Sequence, residues 1–324
     1  MAAWLARRLA ASIAIVWAVV TLTFFLVHLA PGDPFCGGSE RPVPRDVCDG
    51  LRRQFGLDRP LLAQYVLYVR SVATGDLGWS WMQRRPVAHA LADVIPNTLL
   101  LGGAALCLDF LLGLAIGVYQ ALRRNRLPDL VLGQMTMFLY SVPTFWLGLA
   151  FLFVFAWWLG WFPAGGMRDP ALGTSTPWHI AGLDVLWHLV LPATTLGLVG
   201  AAGTARYQRA AMLEVLDQDY VRAARARGAG ERRVVMRHAL RNALLPLITL
   251  FGLAFPFLLT GAVLVETIFS WPGMGRLATD AISARDYLLV SAATMVAGIM
   301  VVLGSFLADV MYALADPRIR VRST

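Results

Sequence analysis

The sequence predicts an all-α integral membrane protein that crosses the bilayer six times. Three observations carry that expectation. First, charge is scarce: 15% of the 324 residues are charged and 58% are hydrophobic, whereas soluble domains carry about 25% charged residues. Second, the apolar residues collect into six long runs. A helix needs about 20 such residues to cross a hydrocarbon core about 30 Å thick. Third, the basic residues cluster between particular runs. All 28 of them are arginine, and among the short connections they crowd those after the second and fourth runs; eight more lie in the long 31–95 loop, and long loops cross largely regardless of charge.

The first run, 9–30, reads "LAASIAIVWAVVTLTFFLVHLA" and follows Arg7 and Arg8. A charged start before an apolar run also suits a signal peptide. This run is longer than a signal h-region and carries no evident A-x-A site, so it reads as an uncleaved span. Pro31, Gly32, Asp33 and Pro34 then break the helix. An extracytoplasmic insertion is expected over 31–95, with short amphipathic helices around Leu51–Leu57 and Leu61–Val69. Trp79 and Trp81 in "GWSWM" belong near a membrane surface. Cys36 and Cys48 both fall in this insertion. In an oxidising compartment a disulfide between them would contribute about 3 kcal/mol in the chain-entropy view. Two free thiols is the other reading.

A five-helix core is expected over 96–312, followed by a tail at 313–324. The second span covers about 97–122. It carries Gly113 and Gly117, a spacing that lets helices approach closely. Cys107 reads as a small core residue. The third span lies within 130–162, where Pro143 should kink it. The fourth, fifth and sixth spans are expected at about 185–205, 243–265 and 287–308. The segment "TIFSWPGMGRL" after Glu266 reads as turn-rich.

Arg7, Arg8, Arg123, Arg124, Arg126, the cluster from Arg206 to Arg241, and Arg318, Arg320 and Arg322 then share one side. The intervening short loops carry only Arg168 on one, and Arg276 and Arg285 on the other. The positive-inside rule places both termini and the cluster in the cytoplasm. The net charge of +8 thus needs no nucleic acid to explain it. Stacking aromatics within the cluster are limited to Tyr207 and Tyr220.

The missing lysine excludes a Walker A loop and Schiff-base chemistry. If the protein uses ATP, another chain binds it. The sequence contains no HExxH, no G-x-S-x-G and no histidines at metal-ligand spacing. It offers no catalytic constellation and no cofactor or metal site of its own.

The densest cluster is "DYVRAARARGAGERRVVMRHALRN", residues 219–242, with seven arginines. A helical rhythm runs from Val215 to Arg227. Gly228-Ala229-Gly230 stops it, and Glu231 restarts a second helix. On the residues alone three readings stay open: a solvated loop, a dock for an acidic cytoplasmic partner, or a surface for anionic lipid or nucleic acid. Two carboxylates stand out elsewhere. Asp109 lies mid-span, where a charge is costly and should face a bundle interior or cavity. It reads either as a pathway residue or as an interhelical hydrogen-bond acceptor. Glu266 follows span five and reads as a gate or seat for a partner, or as a satisfied interfacial carboxylate.

The stretch "EVLDQDYVRAARARGAGERRVVMRHALRNALLP" resembles the cytoplasmic signature of permease subunits of binding-protein-dependent ABC importers, in the peptide branch. Arg222-Ala223-Ala224 and Gly228 match the Glu-Ala-Ala…Gly core of that signature. Arg222 stands in place of the glutamate, and "LLP" lies farther from Gly228, as in peptide-type members. "LAPGDP", "SVPTFWLGL" (141–149), "HLVLPATTLG" (188–197), "VETIFSWPGMGRL" (265–277), "RDYLLV" (285–290) and "DPRIR" (316–320) extend the resemblance over nearly the whole chain. It implies the type I ABC importer transmembrane architecture and a coupling segment at about 214–242. Asp219, Tyr220, Arg222, Ala223, Ala224, Arg225, Gly228, Glu231 and Arg232 would then dock into a groove on an ATPase subunit. The implied partners are a second homologous permease, two ATPases that bind the ATP, an extracytoplasmic solute-binding protein and the lipid bilayer. Peptides are the implied cargo. Nickel chelates, glutathione and oligosaccharides are carried by similar permeases. A self-sufficient channel or secondary transporter is the remoter alternative.

Overall fold

The computed structural model of the chain describes residues 2–29, 59–173, 176–260 and 263–315. Cys36, Cys48, the 31–34 turn and the arginines of the tail lie outside the described residues.

Helix α1 (Ala2–Leu29) contains the first span. Helix α2 (Leu61–Thr74) is the second of the expected amphipathic helices and ends at Gly75 in the left-handed region. Its tyrosines hold it to α1: Tyr65 hydroxyl lies 2.7 Å from Thr21 hydroxyl, and Phe24 packs edge-on against the Tyr65 ring. A two-residue antiparallel pair, β1 (Trp79–Ser80) and β2 (Arg85–Pro86), is the one sheet among the described residues.

Helix α3 (Val87–Leu122) starts ten residues ahead of the apolar run at Asn97 and carries Pro96 inside it. Helix α4 (Leu127–Ser141) opens with Pro128 in its first turn, where the missing N–H has no intrahelical role. It stops at Val142. Helix α5 (Thr144–Phe151) and a π-helical stretch, Leu152–Trp158, continue the chain. Pro143 makes a break rather than the expected kink, for the two halves meet at 102°. Helix α6 (Trp178–Leu216) runs for 39 residues, well beyond the expected span on both sides. Helices α7 (Asp219–Ala226) and α8 (Glu231–Arg233) follow. A π-helical stretch, Val234–Ala239, and α9 (Leu240–Ala243) complete the arginine-rich end. Helix α10 (Leu245–Thr260) leads to α11 (Val263–Ile268), α12 (Met274–Ser283) and α13 (Tyr287–Ala315).

Segments within α1, α3, α6 and α13 are each long and apolar enough to cross a bilayer. Two bent pairs raise the number to six if each is one span: α4 with α5 and its π-helical continuation, and 231–243 with 245–254. Four spans are continuous helices, and the expected count of six is reached when each bent pair is taken as one span.

The centre of the bundle is the seam between α3 and α6. A β-carbon on Gly113 would lie 2.6 Å from Thr204 Cβ, and one on Gly117 would lie 2.6 Å from the Ala205 carbonyl oxygen. From the other side, a β-carbon on Gly197 would lie 2.7 Å from Leu108 Cβ. The backbones are therefore in near contact. Dispersion between close helices replaces the hydrophobic drive that lipid removes. Outside this seam α13 carries α1, with Gly298 against Val19, and Phe110 meets Phe251 across α3 and α10 at 5.1 Å.

Two expectations are corrected here. Cys107 is exposed on α3 rather than packed in the core. In a membrane chain the outward face is as apolar as the inward one, so a small apolar residue does not declare its side. The segment after Glu266 is mostly helical, with only Phe269–Gly273 as a turn between α11 and α12. Proline and glycine there mark one corner, not a loop.

Candidate functional site: the arginine-rich corner and three buried carboxylates

The arginine-rich end is a two-helix corner whose shape comes from the backbone. At the end of α7 the Ala229 N–H bonds the Ala224 carbonyl at 3.2 Å, and the Gly228 N–H bonds the Arg225 carbonyl at 2.9 Å. These 6→1 and 5→2 bonds form a Schellman motif, which needs its fifth residue in the left-handed region. Gly228 supplies that with φ +78°. The Gly230 carbonyl then accepts from the N–H groups of Arg233 and Val234 and starts the second helix. Val221, Ala224 and Val234 close a small core beneath the corner, with Ala229 packed against it.

Charged side chains trim the outside. Arg225 makes a two-point contact with Glu231 across the corner, at 2.8 and 3.2 Å. Glu231 holds the Arg225 guanidinium above its ordinary range. Asn242 Nδ2 donates to Tyr220 hydroxyl at 2.6 Å, joining α9 to α7. Arg222 pairs with Asp219 at 2.9 Å. Such exposed pairs contribute little stability. Of the residues expected to dock, Asp219, Tyr220, Arg222, Ala223, Arg225, Gly228, Glu231 and Arg232 are exposed. Ala224 faces inward and is buried, so it shapes the corner without meeting a partner.

The corner is joined firmly to the bundle. Val235, Ala239 and Ala243 pack with Ala211 and Met212 of α6 and with Ala121 at the end of α3. Corner, α6 and the end of α3 are thus one packed body.

Asp109 and Glu266 lie in other places, apart from the corner and from each other. Asp109 sits in the α3–α6 seam, where Thr204 hydroxyl donates to its Oδ1 at 2.6 Å and Gly200 leaves room for its carboxyl. That is the interhelical hydrogen bond. Glu266 is fully buried at the opposite end of the bundle. Its Oε1 accepts from Thr98 hydroxyl at 3.0 Å, and its Oε2 accepts from the Arg276 N–H at 3.0 Å. It thereby satisfies a donor in the first turn of α12, the role a capping side chain plays. Burial pushes its carboxyl above the ordinary range, while the bonds from Arg276, Thr98 and Gly275 pull it down. Trp271 Nε1 donates to the Asn97 carbonyl and Asn97 Nδ2 to the Pro272 carbonyl, so the same turn is tied twice more to α3.

Besides Glu266 there are two buried carboxylates that were not singled out from the sequence, while Asp109 is half-buried. Asp286 accepts from Ser80 hydroxyl at 2.6 Å, from the Met82 N–H at 3.2 Å and from the Leu289 N–H at 3.1 Å. It caps α13 and holds the β1–β2 turn at once. Asp129, in the first turn of α4, receives two hydrogen bonds from Arg209 of α6 at 2.7 and 2.8 Å. The sequence signal for Asp129 is "LPD", an acidic helix start, which points to a cap rather than to a partner 80 residues away. No group of three His, Cys, Asp or Glu side chains among the described residues could hold a metal. His188 lies 2.9 Å from the Asp184 carbonyl within its own helix.

Comparison with known proteins places this arrangement. Residues 113–321 match the family described as the binding-protein-dependent transport system inner membrane component, and residues 1–102 match the N-terminal family of such membrane components. The chain is 44% identical to a di/tripeptide transport system permease of Pseudomonas aeruginosa, over 99% of each chain. It is 38% identical to an oligopeptide transport system permease of Bacillus subtilis, covering 98% of this chain and 99% of the relative. A glutathione transport system permease of Escherichia coli is 37% identical over 98% of each. Among solved structures, the fold resembles an inward-facing methionine ABC transporter chain, with a TM-score of 0.52, 17% identity, and coverage of 70% of this chain and 96% of the other. The chain belongs to the inner membrane components of binding-protein-dependent transport systems.

Proposed function

We propose that the chain forms half of the translocation pathway of an ATP-driven peptide importer and that its arginine-rich corner receives the motion of a cytoplasmic ATPase. The single observation that carries this reading is the corner itself. It is an outward-facing, charged two-helix element of fixed shape, built into the same body as α3 and α6. A solvated loop that only sets orientation has no need of a Schellman turn, a core beneath it and a packed join to the bundle. Relatives named as di/tripeptide, oligopeptide and glutathione permeases support peptides as cargo.

The partners follow from the family and from what the chain lacks. Without lysine it has no Walker A loop, so ATP is bound by partner ATPase subunits. A second permease completes the pathway, and a solute-binding protein delivers cargo from outside. The arginine-rich end and both termini face the cytoplasm, with the α11–α12 cap outside. Nucleotide-driven closure of the ATPases draws the corners together and opens the pathway outward; hydrolysis resets it.

Gly228→Val tests the corner. A β-branched residue is strained at φ +78°, although open space surrounds the position. The variant is expected to insert and assemble normally while ATP hydrolysis no longer drives uptake. Normal coupled uptake by an assembled Gly228→Val transporter would remove the corner from the coupling path.

A further inference from the structure

We propose that the ion pair between buried Asp129 and half-buried Arg209 is the pin through which the arginine-rich corner moves helix α4. The proposal rests on the corner being the ATPase dock. What the pin adds is a route from that dock to the broken α4–α5 helix.

The pin is well built. Arg209 Nε donates to Asp129 Oδ1 at 2.8 Å and its terminal nitrogen donates to Oδ2 at 2.7 Å. The Asp129 side chain is 3% exposed. The Asn125 N–H adds a bond to Oδ2 at 2.9 Å, from a residue in the left-handed region at φ +61°. Gln120 Nε2 reaches the Asp129 carbonyl at 3.3 Å. The first turn of α4 is therefore gripped by α6, by the α3–α4 turn and by the end of α3. A two-point arginine–carboxylate contact fixes orientation as well as position, and here, unlike in the corner pairs, the carboxylate is buried.

The rest of α4 buries little of itself within the chain, although Tyr140 near its far end meets Gly203 and Arg206 of α6. Apart from Asp129, its one buried residue is Thr136. It gives no residue to the cluster that welds the corner to α6 and α3. Leu130, Val131, Met135, Met137 and Phe138 are exposed along it. At its far end the chain breaks at Val142–Pro143 and turns through 102°. A helix with a hinge at one end, little burial along its length and a rigid two-point contact at the other follows that contact. Arg209 lies on α6 shortly before Ala211 and Met212, which pack on the corner, so a shift of the corner carries Arg209 and Asp129 with it. Beside the pin, both polar side-chain atoms of buried Gln208 and Oε1 of buried Gln120 meet no partner among the described residues. The junction keeps hydrogen-bonding capacity for a second arrangement. Asp129 and Arg209 are positioning residues.

The test uses the complete transporter reconstituted in liposomes, with radiolabelled di- and tripeptides as cargo and ATP hydrolysis measured in parallel. Single Asp129→Asn leaves Arg209 without its countercharge and lowers stability for a merely structural reason. The informative variant is the double substitution Asp129→Leu with Arg209→Met, which removes the pin and both charges together. It is expected to assemble and hydrolyse ATP at close to the normal rate, while uptake per ATP falls about tenfold, within the usual range of coupling between sites. Uptake per ATP within about twofold of normal would overturn the proposal. So would equal loss of hydrolysis and uptake, or failure of the double variant to assemble, since either makes the pair a folding contact. Absence of ATP-dependent peptide uptake by the unaltered transporter would instead overturn the importer reading and is scored separately.

Discussion

At the scale of single residues, Glu266 shows how a buried carboxylate organises its surroundings. Three donors, the Thr98 hydroxyl and the Arg276 and Gly275 N–H groups, converge on it, and Thr98 in turn accepts from the Met274 N–H at 2.7 Å. Glu266→Ala strands those donors in a buried site and is expected to cost about 2–4 kcal/mol of stability. Glu266→Gln keeps one acceptor and lets the Thr98 hydroxyl turn to accept, so its expected cost is below about 1 kcal/mol. Thermal unfolding of the detergent-solubilised transporter checks the order, and equal losses for the two would remove the capping role. Asp109 was legible as the costly mid-span carboxylate, because a charge inside an apolar run announces itself. Its partner Thr204 was not, because a threonine in such a run announces nothing. Asp129 and Asp286 were missed for a related reason. Both sit at helix starts, where a carboxylate explains itself locally, and their partners Arg209 and Ser80 lie on distant segments.

At the scale of elements, the sequence displayed the α3–α6 seam from one side. Gly113 and Gly117 suggested close approach, and the structure supplies the facing surface in Gly197, Gly200, Ala201 and Ala205. Only the pairing was hidden, since small residues on two helices do not say which two will meet. Gly117→Leu drives a bulky side chain into the Ala205 carbonyl, 2.6 Å from where its β-carbon must sit, and into the Gln208 side chain at 2.7 Å. The expected outcome is loss of the folded permease from membranes. Gly103→Leu, on the same helix with open space around it, is expected to leave the amount unchanged. Immunoblots of membrane fractions compare them. Pro143 marked the third span for distortion, and proline chemistry explains why the helix stops. The size of the turn is set by what α5 packs against, Phe269 and Thr195 around Gly148, and that is tertiary information. The corner was legible as two helices around Gly228 because glycine placement is a local signal. That α7 begins only at Asp219, after a separate end to α6 at Leu216, was not, because the apolar rhythm runs across the gap.

For the whole molecule, each end of the bundle is fastened by buried polar contacts and the middle by close apolar packing. At the arginine-rich end the fastener is Asp129. At the opposite end Glu266 and Asp286 bracket α12, around a core of Val87, Leu91, Met274, Leu277, Ala281 and Leu289. Asp286→Asn leaves one acceptor for three donors and is expected to loosen the β1–β2 turn without unfolding the bundle. Faster trypsin cleavage between Arg84 and Arg85 in that variant, with corner fragments unchanged, would display it. Cleavage at the unaltered rate would mean that Asp286 does not hold the turn. Hydropathy found the apolar runs because each must match the same membrane thickness. It did not find the bundle's fasteners, because those are decided by which segments become neighbours.

The Schellman turn at Gly228 carries one more consequence, for interchange between systems. Its two closing bonds use only backbone groups, and Arg222, Arg232 and Arg233 all point away from the small core below. The closing bonds of the turn are therefore independent of those three side chains, while Arg225 and Glu231 brace the corner from outside. On the proposal that the corner docks an ATPase, those three positions could be recoded for a different groove while the turn keeps its closing bonds, which would make the corner the place to graft this permease onto a foreign motor.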